Sequence, residues 1–147
     1  MIHFVADTSV IIKWFRFAED EDYALQAHTL RDYYLSGKAA ISILELSILE
    51  FANTIKFSKR LKFQDAEKAL LGLLDFGLKI LPINSKILRQ ALKYSFECNI
   101  TYYDALFLAV SVDSKAKLIT ADKIFYNKTN SLSNVVFISN INGIVSE

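Results

Sequence analysis

A chain of 147 residues, 52% hydrophobic and 22% charged, is long enough to bury a sizeable core and too apolar to be disordered. Its net charge of +1 counts modestly against tight binding of RNA or DNA by the monomer. One cysteine, Cys98, excludes an internal disulfide and a Cys-based zinc site, and four Gly and one Pro leave little room for linkers. One domain over residues 1–147 is therefore expected.

Ile2 to Ala6 is a short apolar run ending at Asp7-Thr8-Ser9, the pattern of a strand followed by a helix start, with Val10 to Phe15 as a brief helix. The acidic run Glu19 to Asp22 precedes a helical pattern from Tyr23 to Ser36, where it is expected to complement the helix dipole. Lys38 to Ile41 is a second strand. Ser42 to Phe57 and Asp65 to Phe76 read as helices, the second stopped by Gly77. Between them, Lys56, Lys59, Arg60 and Lys62 form a basic cluster that could meet a phosphate backbone but is more simply expected to be a solvated helix end and turn. Lys79 to Leu81, closed by Pro82, is a third strand, and Ser85 to Glu97 and Thr101 to Asp113 are two more helices. Lys117 to Thr120 and Val135 to Ile138 are the last strands, with Lys128 to Asn134 a polar loop. Short strands without alternation, separated by helices, describe a parallel sheet covered on both faces, whose ligands bind beyond the carboxyl ends of the strands.

The apolar stretches around Ile43 to Ile55 and Ile100 to Val112 are too short or too interrupted by acids to span a bilayer. No basic region followed by an apolar core opens the chain, so no secretory signal is expected, and a cytoplasmic location fits.

Four acids stand inside or at the ends of apolar segments: Asp7, Glu50, Asp104 and Asp122. A carboxylate is costly to bury alone, and a shared hard divalent cation is the economical partner for four of them. Such ions act on phosphate-containing substrates. Taken singly, Asp7 and Asp122 also suit helix caps. Ser42-Ile43-Leu44-Glu45 has the spacing of a capping box, which gives Glu45 a structural job. Glu50 has no such role in mid-helix, and Asn53 and Thr54 share its face. Asp104 would fall in the first turn of a buried helix capped by Thr101. Crowded together without a cation, these carboxylates repel, and at least one pKa should be raised.

The segments Val5-Ala6-Asp7-Thr8-Ser9-Val10, Leu49-Glu50-Phe51-Ala52-Asn53, Tyr103-Asp104-Ala105-Leu106-Phe107-Leu108-Ala109 and Leu118-Ile119-Thr120-Ala121-Asp122 together resemble a PIN domain, the nuclease fold of VapC-type toxins. The resemblance implies a three-layer α/β/α sandwich with strand order 3-2-1-4-5. It implies an endoribonuclease dependent on Mg²⁺ or Mn²⁺, held by Asp7, Glu50, Asp104 and Asp122, with Ser9, Asn53 and Thr120 steadying ligands or water. It also implies an RNA substrate, a homodimer and a cognate antitoxin. Two rival readings remain: a non-catalytic module whose acidic pocket receives a partner's Arg or Lys, and a Mg-dependent phosphatase of the haloacid-dehalogenase type. The second normally needs another Asp two residues after the first, where this chain has Ser9.

Overall fold

The computed structural model describes residues 1–15 and 21–146. Five parallel strands, β1 (Ile2–Ala6), β2 (Ala39–Leu44), β3 (Lys79–Leu81), β4 (Lys117–Thr120) and β5 (Val135–Phe137), form one sheet in the order β3-β2-β1-β4-β5. Central β1 pairs with β2 through Phe4↔Ile41 and with β4 through Val5↔Leu118. The order expected from the resemblance is the one observed.

Alternate side chains of each strand leave the sheet on opposite faces. Phe4, Ala6, Ile41, Ile43, Ile119 and Phe137 enter one apolar cluster, with residues of α1 (Thr8–Ile11), α2 (Ala24–Leu35), α3 (Glu45–Lys56) and α4 (Phe63–Asp75). Val5, Leu44, Leu118 and Val135 enter a second, with α5 (Ser85–Cys98), α6 (Tyr102–Asp113) and α7 (Lys123–Thr129). The result is three layers. A short α8 (Ile141–Val145) returns to the first face through Ile141. Helix α6 is buried continuously from Ala105 to Ser111, which explains a segment too apolar for a one-sided helix.

Two expectations need correction. Ser42 and Glu45 do not form a capping box: Ser42 lies inside β2, paired with Val5, and Glu45 opens α3 in an exposed position. The sheet ladder outcompetes the local cap, and Ser47 Oγ instead accepts from the Leu44 N–H at 3.1 Å. Of the acidic run, Glu21 pairs with Lys13 and Asp22 directly precedes Tyr23, the N-cap residue of α2, while Glu19 and Asp20 lie outside the described residues. Lys128 and Thr129 belong to α7 rather than to a loop. The basic cluster Lys56, Lys59, Arg60 and Lys62 is exposed, as expected. Among the described residues, no helix is long and apolar enough to cross a membrane.

Candidate active site

Strand order reverses direction between β1 and β4, so a crevice opens at their carboxyl ends. Asp7 follows the last residue of β1 and extends its ladder, its N–H donating to the Ile119 carbonyl at 3.0 Å. Asp122 stands two residues beyond β4. Glu50 reaches in from the middle of α3 and Asp104 from the first turn of α6, on opposite faces of the sheet. All four line one cleft of about 330 Å³, together with Thr8, Ser9, Lys13, Glu21 and Thr54. Asn53 is exposed and is not part of this lining; Thr54, one residue on, takes that position.

Hydroxyl groups fix two of the carboxylates. Asp7 occupies the N-cap position of α1, yet its side chain makes no cap bond. Its Oδ2 accepts instead from Thr120 Oγ1 at 2.7 Å and Ser9 Oγ at 2.9 Å. Those hydroxyls are themselves anchored: Ser9 Oγ accepts from the Ala121 N–H, and Thr120 Oγ1 from the Asp122 N–H. Glu50 Oε1 accepts from Thr8 Oγ1 at 2.8 Å, a contact between residues 42 apart in sequence. Thr8 carries no sequence signal for this role beyond its place beside Asp7, and sequence reasoning missed it. Asp122 keeps its capping job, with Oδ1 accepting from the Phe125 N–H at 3.0 Å. Thr101 caps α6 by accepting from the Asp104 N–H at 3.1 Å. The second oxygens of Glu50 and Asp122 receive no hydrogen bond among the described residues.

Burial and mutual repulsion raise three of these carboxyls above their ordinary pKa. For Asp7, burial is the largest cause and repulsion from Asp122 adds to it, opposed by the Thr120 and Ser9 hydrogen bonds. For Glu50, burial again leads, opposed by Thr8 and reinforced by Asp7 and Asp104. For Asp104, burial is followed by repulsion from Asp7 and Asp122, which the Thr101 hydroxyl and Lys128 offset. The expected raised pKa is therefore present, and mutual repulsion links all four acids. Negative charge here is under-compensated.

The donor set is oxygen-only and anionic, the chemistry that suits a hard divalent cation. As placed, no group of three His, Cys, Asp or Glu side chains among the described residues stands close enough to hold a metal ion.

The PIN domain family model matches residues 4–130. No match appears among curated protein sequences. Solved structures share the fold. A crystal structure of PAE2754 from Pyrobaculum aerophilum is 22% identical with a TM-score of 0.69, over 99% of this chain and 96% of that one. VapBC2 from Rickettsia felis, bound to a DNA fragment from its promoter, is 16% identical with a TM-score of 0.66, over 92% and 97%. A toxin–antitoxin complex from Klebsiella pneumoniae is 20% identical with a TM-score of 0.63, over 91% and 96%. With its strand order, its cleft at the β1–β4 switch point and a family match over most of its length, the chain belongs to the PIN domain family.

Proposed function

We propose that this protein is a metal-dependent endoribonuclease, the toxin of a toxin–antitoxin pair, built as a single domain. The observation that carries the reading is the convergence of Asp7, Glu50, Asp104 and Asp122 on one under-neutralised cleft, three of them with raised pKa values. In this reading the four carboxylates hold Mg²⁺ or Mn²⁺, in part through water, since they do not stand at chelating distance as placed. When bound, the ion supplies Lewis acidity toward phosphate oxygens and toward water. The chain's own groups do the rest. Thr120 and Ser9 set the orientation of Asp7, Thr8 that of Glu50, and the cap on Phe125 that of Asp122, so the ligands keep their positions while an RNA phosphodiester is placed between them.

Neighbours of the same fold include toxin–antitoxin complexes, which supports a cognate antitoxin as partner. A homodimer is proposed on the exposed apolar stripe of α5, where Leu88, Leu92 and Phe96 recur every fourth residue and Phe96 is 82% exposed. A cytoplasmic location is part of the same reading. That no three of the acids form a ready chelating group among the described residues favours one other reading, a non-catalytic pocket for a partner's Arg or Lys. Incubating the purified protein with single-stranded RNA and Mn²⁺ separates the two. The nuclease reading expects internal cleavage that EDTA stops and that Asp7→Asn and Asp104→Asn each lower by more than about a hundredfold. A folded wild-type protein that leaves RNA intact under these conditions overturns it.

A further inference from the structure

Five acidic side chains line the cleft, and among the described residues Lys13 is the one cation in that lining. Its position is fixed on both sides. Lys13 lies in the 3₁₀ turn Ile12–Trp14 that continues α1, between neighbours 5% and 7% exposed. The Trp14 indole donates to the Ala27 carbonyl at 2.8 Å, tying the turn to α2. Lys13 is itself 8% exposed, and its ammonium donates to Glu21 at 2.9 Å.

An ion pair buried to this degree contributes little net stability, because desolvation offsets the attraction. An anchor for the chain between α1 and α2 could also be built from apolar groups, which line the adjoining core. What an apolar anchor would not give is positive charge at the wall of a cleft that repels polyanions. The turn carrying Lys13 continues α1, whose Thr8 and Ser9 hold Glu50 and Asp7, so its ammonium is registered to the carboxylates through one short stretch of backbone.

We propose that Lys13 is a substrate-contacting residue: when RNA enters, its ammonium leaves Glu21 for a non-bridging oxygen of a phosphate flanking the one held at the carboxylates. Glu21 keeps the ammonium aimed along the cleft wall in the free protein. The inference rests on the nuclease reading, and it adds a phosphate contact that the four acids cannot make.

The test uses a short randomised single-stranded RNA carrying a fluorescein label. Steady-state cleavage in Mn²⁺ gives KM and kcat, and anisotropy at several KCl concentrations, on an Asp7→Asn background, gives the salt dependence of binding. For Lys13→Gln, KM rises about tenfold with kcat changed less than about twofold, the pattern of a contact kept through the reaction. The slope of log Kd against log salt falls by about 0.7, the value of one phosphate contact on a single strand. Lys13→Arg restores both. Glu21→Gln leaves the ammonium in place and raises KM less than Lys13→Gln does, with the salt slope unchanged. Equal losses for Lys13→Gln and Glu21→Gln, or a salt slope that Lys13→Gln leaves unchanged, show that the pair only ties the chain and overturn the proposal while the nuclease reading stands. If Lys13→Gln does not fold by circular dichroism, the double variant Lys13→Met/Glu21→Gln removes the pair as a neutral unit, and the same two readouts decide. Failure of the wild-type protein to bind or cleave the RNA overturns this inference together with the nuclease reading.

Discussion

Three hydroxyls organise the cleft: Thr120 and Ser9 on Asp7, and Thr8 on Glu50. Ser9 is legible in the sequence because it lies two residues from the acid it serves; Thr120 stands out beside Asp122, but the carboxylate it holds is Asp7, 113 residues away. Thr8 is not legible, since its partner lies on another helix and only folding brings them together. Thr8→Val keeps the shape and removes the donor. It is expected to cost about 1 kcal/mol and to lower Mn²⁺-supported cleavage by about tenfold, measurable by urea denaturation and initial rates. The raised carboxyls also fix a pH dependence. Asp7, Glu50 and Asp104 bind protons more tightly in the folded chain, so as pH rises from about 4 the unfolded chain loses these protons first. Stability of the ion-free protein therefore falls as pH rises toward the folded pKa values, and the loss is complete above them. Asp7→Asn keeps an oxygen for Thr120 and Ser9 but removes the charge. Denaturation in EDTA should find it at neutral pH as stable as the parent or more so, with a flatter pH profile. Marked unfolding at neutral pH would instead assign Asp7 a purely structural role.

Elements were legible where burial and local signals agree. Strands β1, β3 and β4 and the start of α5 fall where apolar runs and their flanking residues place them. The cap of α5 is a finding of the structure, Asn84 Oδ1 accepting from the Ile87 N–H at 2.9 Å. The junction of β2 and α3 was misread because a strand residue, Ser42, carries the spacing of a helix cap. Pairing with β1 and β3 decides the matter, and that pairing is non-local. The last residues, Ile138 to Val145, show too little periodicity to reveal a 3₁₀ turn and α8. At this scale Thr101 links fold to site, because its cap fixes the turn that presents Asp104. Thr101→Ala should lower stability by about 1 kcal/mol. It should also weaken Mn²⁺ binding, whereas Asn84→Ala, a cap remote from the cleft, should cost similar stability with metal binding intact. Thermal melts and metal titration of the pair check this.

The parallel order of the whole molecule follows in part from the alternation of short apolar strands with helices, but the arrangement β3-β2-β1-β4-β5 came from the likeness of four segments to a family. Composition cannot specify which strand is central. The convergence of four acids from β1, α3, α6 and the end of β4 is a property of the assembled sheet, and no window of sequence contains it. The proposed dimer belongs to this scale too. Leu92→Asp combined with Phe96→Asp, both on exposed positions of α5, should convert a dimer to a monomer in sedimentation without altering the circular dichroism spectrum. The account as a whole depends on the cleft taking up a cation. Calorimetric titration of Mn²⁺ into the metal-free protein tests this most directly. Saturable binding in the wild-type protein, abolished in both Asp7→Asn and Asp104→Asn while each remains folded, is the predicted result; no binding, or binding that either variant leaves unchanged, would contradict it.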